Sequence, residues 1–509
     1  MRLHLADLYY LAPELAILIT AVLLSLIDLF MPRNVSRTVL AWLSLAGIAV
    51  SALFVVHFIG VLNPSGGDAI EPIQLLNHSY RVDDFANLFK LLILAGSALV
   101  IFMSISSLKE EQIYHRGEYY YLFLPAILGA MIMSSSGDLI TLFVGMELLS
   151  ITSYILVALR KMNKQANEAA FKYVVTGSIA TAFTLYGMSF LYGMSGSTNI
   201  GEINRALSAL DPSFSAMIYI SFFLMLVGFG FKIAAAPFHT WAPDVYQGAA
   251  TPVAAFLSVV SKSAAFAILF RVVYNVYFLG PETAGMPIHS DVFLALLVLA
   301  AAAMILGNAM ALRQMNMRRL LAYSGIANAG YLLVPLGIQL NGMHSSNFSE
   351  LFFYLIAYYF MNLGIFAVLM VVSRAAGHEE MSGFAGLYHR KPGLAIATLI
   401  LVLSLAGIPF TGGFFGKLYI LLGTVRVQEY WLALVMMLTS VVSFYYYFSI
   451  LRQIFMRPGH GLQEIRPTTT LSITIWICAA LSLLLGLFPQ WVLTSIERIF
   501  RLSTDFFIF

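Results

Sequence analysis

Residues 229–252 read FGFKIAAAPFHTWAPDVYQGAATP and interrupt a long apolar region of the sequence. The stretch holds a lysine, a histidine, an aspartate and three prolines, with apolar runs on both sides. Proline removes a backbone hydrogen bond and clashes with the preceding helical turn. A broken helix is tolerated at membrane depth only where it lines a cavity or is buried in protein. The stretch therefore predicts an interrupted membrane helix whose Lys232 faces a hydrated interior.

Composition indicates an integral membrane protein. The chain has 509 residues, of which 60% are hydrophobic and 10% charged, and its mean hydropathy is +0.85. A soluble domain carries about 25% charged residues, so these charges are too few to cover a water-facing surface. The net charge of +3 comes without a basic run, so we expect lipid and not nucleic acid around the chain.

No sequence motif provides a redox or metal centre. Cys478 is the single cysteine, which excludes an internal disulfide, a zinc site and an iron–sulfur cluster. Glycine-rich phosphate loops and the motifs HExxH and CxxCH are absent from the sequence, so we expect no cofactor or metal in this chain. The apolar run at 10–31 lacks a small-residue cleavage site and is not expected to be a cleavable signal.

Fourteen stretches are apolar enough for spanning helices, which need about 20 residues each. They are continuously apolar and do not alternate, which argues against a β-barrel. We predict an all-α polytopic membrane protein with helices 1 to 14 near residues 10–31, 38–62, 85–107, 118–136, 138–159, 167–194, 214–247, 251–278, 289–311, 318–338, 349–373, 393–424, 429–452 and 469–495.

The loops differ in basic charge. One set of loops holds 16 arginines and lysines, and the other set, together with both termini, holds 6. Cytoplasmic loops carry the excess of positive charge. We therefore expect the first set to be cytoplasmic and both termini to face outward.

Six basic residues remain inside the predicted helices. Five of the nine lysines are among them, but only one of the nineteen arginines. A charge at the bilayer centre costs roughly 2.5–3.5 kcal/mol on insertion scales, so such residues normally mark a pathway. A buried lysine can lose its proton, whereas arginine stays charged. The bias towards lysine indicates proton transfer. The six residues are Lys90, Lys172, Lys232, Lys262, Arg271 and Lys417.

Glu147 and Lys232 are the first candidates. Glu147 lies mid-helix, and it either carries protons or is a protonated carboxyl that only hydrogen-bonds. His239 follows Lys232 and Pro237, and it could relay protons near neutral pH or simply bond a backbone carbonyl. A carboxylate favours the charged lysine and burial favours the neutral one, so Glu147 would load and unload Lys232.

Helices 8 and 12 add two lysines. Lys262 lies mid-helix between serines, and it either transfers protons or is held by their hydroxyls. Lys417 follows AGIPFTG at 406–412, which is similar to AAAPFHT at 234–240. A matched pair of interrupted spans is typical of inverted repeats, and an offset of five helices inverts the second copy. We predict that helices 7 and 12 are broken and that protons move along Lys232, Lys262 and Lys417.

The other charged residues allow two interpretations. Lys172, one turn into helix 6, either hands protons to Glu147 or reaches the cytoplasmic edge. Lys90 is a second candidate for proton uptake. The remaining charges near helix ends are expected to be structural, packing or interfacial residues: Glu14, Asp28, Asp244 and Arg271.

Three stretches carry a family resemblance: KIAAAPFHTWAPDVYQGAATPVAAFLSVVSK, LAGIPFTGGFFGKLY and RRLLAYSGIANAGYLL. They resemble the antiporter-like membrane subunits of respiratory complex I, which are related to subunits of multisubunit cation/proton antiporters. The resemblance extends over nearly the whole chain. Lys417 stands where M-type subunits carry a glutamate, and the chain ends without the lateral extension of the L type. These two features indicate the third antiporter-like type.

The resemblance implies a role for each candidate residue. Glu147 matches the helix-5 glutamate, and Lys232 matches the central helix-7 lysine paired with it. Lys172 matches a helix-6 lysine, and Lys262 matches the connecting helix-8 lysine. Lys417 matches the terminal lysine from which protons leave. Many relatives have a histidine where this chain has Asn328, which puts a role for that position in doubt.

The resemblance also implies an architecture. Helices 1–3 would lie in residues 1–117, two inverted five-helix repeats in 118–278 and 289–452, and helix 14 in 469–509. Quinone reduction in neighbouring subunits would drive proton pumping across a bacterial cell membrane. Quinone, iron–sulfur clusters and, with NADH as the donor, FMN would belong to partner subunits. The expected neighbours are an M-type subunit and small K-, J- and A-type subunits.

Two alternatives remain open. A subunit of a Na⁺/H⁺ antiporter complex would be favoured by carboxylates along the path, because hard cations prefer oxygen ligands. A scaffold that does not pump would scatter its intramembrane charges. Lysines beside two broken helices favour proton translocation over both.

Overall fold

The computed structural model of the chain describes residues 5–32, 35–63, 71–106, 113–278, 288–338, 346–459 and 464–500. Each of the fourteen predicted spans coincides with a helical region. We number these helices α1 (Ala12–Phe30), α2 (Thr38–Leu62), α3 (Asp84–Ser104), α4 (Arg116–Ser135), α5 (Leu139–Ala158), α6 (Lys164–Ser195), α7 (Ser215–Ile233 and Ala242–Gly248), α8 (Thr251–Tyr277), α9 (Ile288–Ala311), α10 (Met317–Gly337), α11 (Asn347–Ala376), α12 (Pro392–Ala406 and Gly412–Arg426), α13 (Tyr430–Met456) and α14 (Thr469–Leu487).

Twelve helices in the described part of the chain are long and apolar enough to cross a membrane. The two others are α4, which carries Arg116 and Glu118 in its first turn, and α12, which is divided into two shorter helices. The predicted all-α polytopic fold is therefore confirmed. The limits of the two five-helix repeats stay a prediction.

A few small elements accompany the helices. An antiparallel pair of strands, β1 (Ile73–Leu75) and β2 (Tyr80–Val82), precedes α3 and pairs Ile73 with Val82. The sequence did not predict this pair, because three-residue strands leave no periodic pattern. The short helices are Leu5–Tyr10, Ile200–Ser208, Leu387–Arg390 and Pro489–Ile499, with 3₁₀ turns at Pro212–Phe214 and Met381–Phe384.

Helices differ in how far they are enclosed. Every residue of α8 is buried, and α10 and α11 are nearly as enclosed. The outer helices α1, α2, α6 and α13 expose apolar side chains such as Leu29, Leu53, Phe171 and Val441. Lipid tails are as apolar as these side chains, so their exposure is compatible with a bilayer. Charged groups on α8 can only face the protein interior.

The predicted breaks in α7 and α12 are both present. The first segment of α7 ends where Ala234 takes a left-handed conformation with φ 57°, and the first segment of α12 ends at Gly407 with φ 81°. A left-handed residue is a common helix end. Proline follows each break, at Pro237 and Pro409, and prevents the helix from continuing directly.

Candidate functional site: lysines inside the membrane helices

Lys232 lies in the last turn of the first segment of α7 and is only 5% exposed. Its ammonium donates a hydrogen bond to the hydroxyl of Ser150 on α5. That hydroxyl in turn donates to the carbonyl of Met146. Ser150 is one turn after Glu147 on the same helix, so the two residues lie on the same face.

Glu147 is half-buried on α5, and its carboxylate accepts a hydrogen bond of 2.8 Å from the hydroxyl of Thr181 on α6. Among the described residues, no hydrogen bond joins Glu147 directly to Lys232. Glu147 instead lies one turn before Ser150, whose hydroxyl binds the Lys232 ammonium. An acid and a base thus lie on neighbouring helices, with the Ser150 hydroxyl bound to the base.

His239 lies in the connection between the two segments of α7. The residue is half-buried, and Pro237 and Thr240 beside it are exposed. Its backbone carbonyl accepts a hydrogen bond from Ala242. No described side-chain hydrogen bond joins His239 to Lys232 or Lys262. The structure therefore brings Lys232 to α5 and leaves His239 half-buried in the connection of α7.

Lys262 is buried in the centre of the molecule on α8, directly after a π-helical turn at Leu257–Ser261. Its ammonium donates a hydrogen bond of 2.6 Å to the carbonyl of Gly325 on α10. It also lies 5.8 Å from the centre of the Tyr358 ring on α11. π turns inside α-helices often occur at functional sites. The lysine of α8 thus points towards the second half of the chain.

One face of α10 carries polar groups from Gly325 towards the α12 break. Asn328 lies one turn after Gly325 and accepts a hydrogen bond from the Tyr354 hydroxyl of α11. Tyr331 lies one turn further, and its hydroxyl shares a hydrogen bond of 3.0 Å with Thr439 of α13. Residues three or four apart share a helix face. These side chains therefore form a polar row between Lys262 and the break.

Lys417 closes this row at the break in α12. Its ammonium donates to the carbonyls of Leu405 at 3.2 Å and Ala406 at 3.4 Å, and lies 4.9 Å from the centre of the Tyr331 ring. The last carbonyls of a helix have no helical partner and carry partial negative charge. The break therefore creates the acceptors that hold a charged lysine inside the membrane.

Sequence reasoning did not single out three residues that contact the candidates or lie between them: Ser150, Tyr331 and Tyr354. Asn328 was doubted because it departs from a family pattern, yet it lies in the middle of the polar row. The spacing of polar residues along α10 is a signal that could have found it. Ser150 gave no such signal, because serine is common in membrane helices and its partner comes from α7.

Lys172 lies in a separate cluster at the partly exposed end of α6. Its ammonium pairs at 2.7 Å with both Glu168 and Asp244, and Asp244 also pairs at 2.5 Å with Arg319 of α10. Its partners Glu168 and Asp244 line a cavity of about 230 Å³ together with Arg319, Gln165 and Gln247. Lys172 is nine residues before Thr181, the partner of Glu147, which is about 14 Å along the helix axis.

Lys90 and Glu14 form a buried ion pair of 2.9 Å between α3 and α1. The lysine also donates to the Tyr80 hydroxyl at 2.8 Å. Asp83, directly before α3, accepts a two-pronged contact of 3.0 and 3.1 Å from Arg271 of α8. These contacts fasten the strand pair to the helices, as expected of structural charges.

Comparisons with known proteins define the family. The family model described as "NADH:quinone oxidoreductase/Mrp antiporter, TM" matches residues 136–443. NADH-quinone oxidoreductase subunit N of Paenibacillus sp. strain JDR-2 is 50% identical over 512 residues, which cover 99% of this chain and 98% of that protein. The residues matched by the family model span positions 232, 262 and 417 of this chain.

Solved structures agree with the sequence comparison. A chain of respiratory complex I from Thermus thermophilus with bound aureothin has a TM-score of 0.77 and 31% identity, covering 95% of this chain and 99% of that one. A chain of the Mrp complex from Dietzia sp. DQ12-45-1b has a TM-score of 0.82 at 19% identity, covering 96% of both, and shows the same fold. The chain belongs to the transmembrane family of NADH:quinone oxidoreductases and Mrp antiporters, with its curated relatives being subunit N of NADH-quinone oxidoreductase.

Proposed function

We propose that this chain is a proton-translocating membrane-arm subunit of a respiratory NADH-quinone oxidoreductase. The observation that carries the proposal is the placement of three lysines inside the membrane helices, two of them beside helix breaks. Lys232 and Lys417 accompany the two broken helices, and Lys262 lies between them on the central helix. A lysine can exchange a proton, whereas a purely structural cation would more often be arginine.

We infer that Glu147 controls the charge of Lys232. The charged lysine is favoured while the carboxylate is ionised and close, and the neutral lysine is favoured when that influence is removed. The Ser150 hydroxyl accepts from the ammonium, and ordered water beside it would complete the transfer. In this scheme, His239 relays protons to the same region from the connection of α7.

The second half of the path runs from Lys262 to Lys417. The Gly325 carbonyl, Asn328 and Tyr331 supply acceptors and hydroxyls one helical turn apart. Water between these groups would carry the proton, since no two of the lysines are in contact. Lys417, held at the negative end of a half-helix, would release the proton to the outside.

Proton uptake is assigned in this proposal to the Lys172 cluster. Its cavity, its partial exposure and its acidic residues Glu168 and Asp244 favour it over the Lys90 pair. Lys90 is 1% exposed and already bound to Glu14 and Tyr80. The distance from Lys172 to Glu147 again requires water as the carrier.

The surroundings follow from the same proposal. The complex would lie in a bacterial cell membrane, with both termini of this chain outside. Its quinone, iron–sulfur clusters, NADH and FMN would be bound by other subunits. The neighbours in the membrane arm would be an M-type subunit and small K-, J- and A-type subunits.

The test replaces Lys417 with alanine in the assembled complex. Protons moved per quinone reduced are measured in sealed membrane vesicles, with complex assembly checked by native electrophoresis. Removing a proton-transferring group typically costs a factor of about 100 or more in the step it serves. We expect pumping through this subunit to be lost while the complex still assembles.

Lys164→Ala is the matched control, because Lys164 is an exposed lysine at the start of α6. The control variant should pump like the wild type. Wild-type pumping in the Lys417 variant would refute the path. Pumping that persists but follows a Na⁺ gradient would favour the antiporter alternative instead.

A further inference from the structure

A pocket of about 480 Å³ lies where the connection between α11 and α12 meets the end of α13. It is far along the chain from Lys232 and Lys262, and no lysine of the proposed path lines it. Its lining includes Gly386, His389, Arg390, Phe455, Arg457 and Gly459. The pocket is therefore distinct from the site described above.

Backbone forms one wall of this pocket. Gly386 has φ 61°, a left-handed conformation that favours glycine, and its N–H donates to the Gln453 carbonyl at 3.0 Å. A Cβ on Gly386 would lie 2.6 Å from the backbone nitrogen of Gly459. The two glycines thus allow the two segments to approach closely and to bring their basic residues together.

The polar side of the pocket is basic. His389, Arg390 and Arg457 line it, and none of its lining residues is acidic. Arg390 is partly fixed by a hydrogen bond of 3.3 Å to the Gly383 carbonyl. The nearest carboxylate in the sequence, Glu464, pairs with Arg466 at 2.8 Å. Two guanidinium groups at one site are suited to a phosphate, which they can bind by paired hydrogen bonds.

The other side of the pocket is apolar. The Phe455 ring, at the end of α13, packs at a centroid distance of 5.4 Å on Tyr388 of the short helix Leu387–Arg390. Tyr388 is 41% exposed and Met456 is 78% exposed. A free phosphate ion would make no favourable contact with such an apolar wall, whereas a phospholipid would place its acyl chain there.

We propose that this pocket binds the phosphate group of an anionic phospholipid, with its acyl chains along Phe455 and Met456. Basic pockets between membrane helices are known to suit anionic headgroups. Each basic residue near a charged membrane contributes about 1 kcal/mol, which corresponds to roughly fivefold in affinity. This site does not depend on the proposed proton path, because it shares no residue with it.

The test uses the purified full-length chain in its complex, reconstituted into nanodiscs of phosphatidylcholine with a minor fraction of phosphatidylglycerol. The variant carries Arg390→Gln and Arg457→Gln together. Retained lipids are counted by native mass spectrometry after detergent release. We expect the variant to bind phosphatidylglycerol about 25-fold more weakly, which would appear as the loss of one retained lipid.

Arg313→Gln is the control, because Arg313 is an exposed arginine in another loop that belongs to the same basic set. It should retain the lipid. Equal retention in the double variant would overturn the proposal. Displacement of the lipid by millimolar inorganic phosphate alone would identify a free-anion site, and a crosslink from this pocket to another subunit would identify a protein contact; either result would also overturn it.

Discussion

Ser150 lies next to the two charges of the first half of the proposed path. Its hydroxyl accepts from Lys232 and donates to the Met146 carbonyl, so both of its hydrogen-bonding directions are in use. A buried ammonium without an acceptor is costly. The hydroxyl therefore supports the charged form of Lys232 even when the carboxylate of Glu147 is not in direct contact.

Replacement of Ser150 by alanine tests this role. The ammonium would lose its acceptor, and a lost hydrogen bond to a charged group is worth about 1.5–3 kcal/mol. We expect pumping to fall roughly tenfold at unchanged quinone reduction in uncoupled vesicles. Ser153→Ala on the same helix is the control, since Ser153 is equally buried and its hydroxyl has no hydrogen-bond partner among the described residues. Equal loss in both variants would show a packing effect instead.

The buried ion pair of Lys90 and Glu14 is expected to stabilise the fold. Lys90→Met would leave the Glu14 carboxylate buried beside Tyr80 without its cation. Breaking a buried pair by removing one partner costs about 3–5 kcal/mol. We expect a lower thermal stability of the purified complex. Glu14→Gln combined with Lys90→Met should recover much of it, and a double variant as unstable as the single one would contradict the structural role.

Interrupted helices determine where the charges can lie. The break in α12 exposes the carbonyls of Leu405 and Ala406, and Lys417 from the second segment returns to them. The two segments pack closely there: a Cβ on Gly413 would collide with the carbonyl oxygen of Ser404. Packing of the broken ends, and not lysine alone, therefore defines the outer end of the path.

Gly413→Ala tests the importance of that close approach. The added methyl would push the two segments of α12 apart and weaken the contacts of Lys417. We expect pumping to fall severalfold, with less effect on assembly, as measured by proton translocation and native electrophoresis. Gly193→Ala in α6 is the control, because a Cβ there meets nothing within 4 Å. Unimpaired pumping in Gly413→Ala would show that close packing of the two segments of α12 is not needed for proton transfer.

Across the whole molecule, Asp244 connects two parts of the chain that lie far apart in sequence. It sits on the second segment of α7 and pairs with Lys172 of α6 and Arg319 of α10. Arg318, which precedes Arg319 on α10, donates to the carbonyls of Gln247 and Ala249. The end of α7 is thereby fastened to the helix that carries the polar row of the second half.

A double-mutant cycle on Lys172→Gln and Arg319→Gln measures this connection. Both partners share one carboxylate, so their effects on proton uptake should not add. Glu168 and Asp244 stay in place for proton uptake, and a partly exposed ion pair contributes about 0.2–1 kcal/mol, so each single variant should slow uptake less than fivefold. Lys172→Gln with Arg205→Gln, an exposed arginine elsewhere, should show simple additivity. Additive effects of the first pair would mean that Asp244 does not couple the two halves.

Much of the architecture was predictable from local sequence. Continuous apolar runs predicted the fourteen helical regions, since a bilayer requires each span to satisfy its own backbone hydrogen bonds. Pro237 and Pro409 predicted the two breaks, because proline acts on its own helix. The strand pair before α3 and the ending of α14 at Leu487, where 495 was expected, were beyond this reasoning.

The sequence by itself determined the membrane class, the two broken helices and the lysines inside the membrane helices. These follow from local composition, because each depends on which residues are costly to bury in lipid. Only the tertiary structure decided their partners. Lys232 meets Ser150, Lys262 meets Gly325, and Lys90 meets Glu14, in each case across 63 or more residues. Such contacts depend on how helices pack against one another, and packing geometry is not encoded in the periodicity of any single helix.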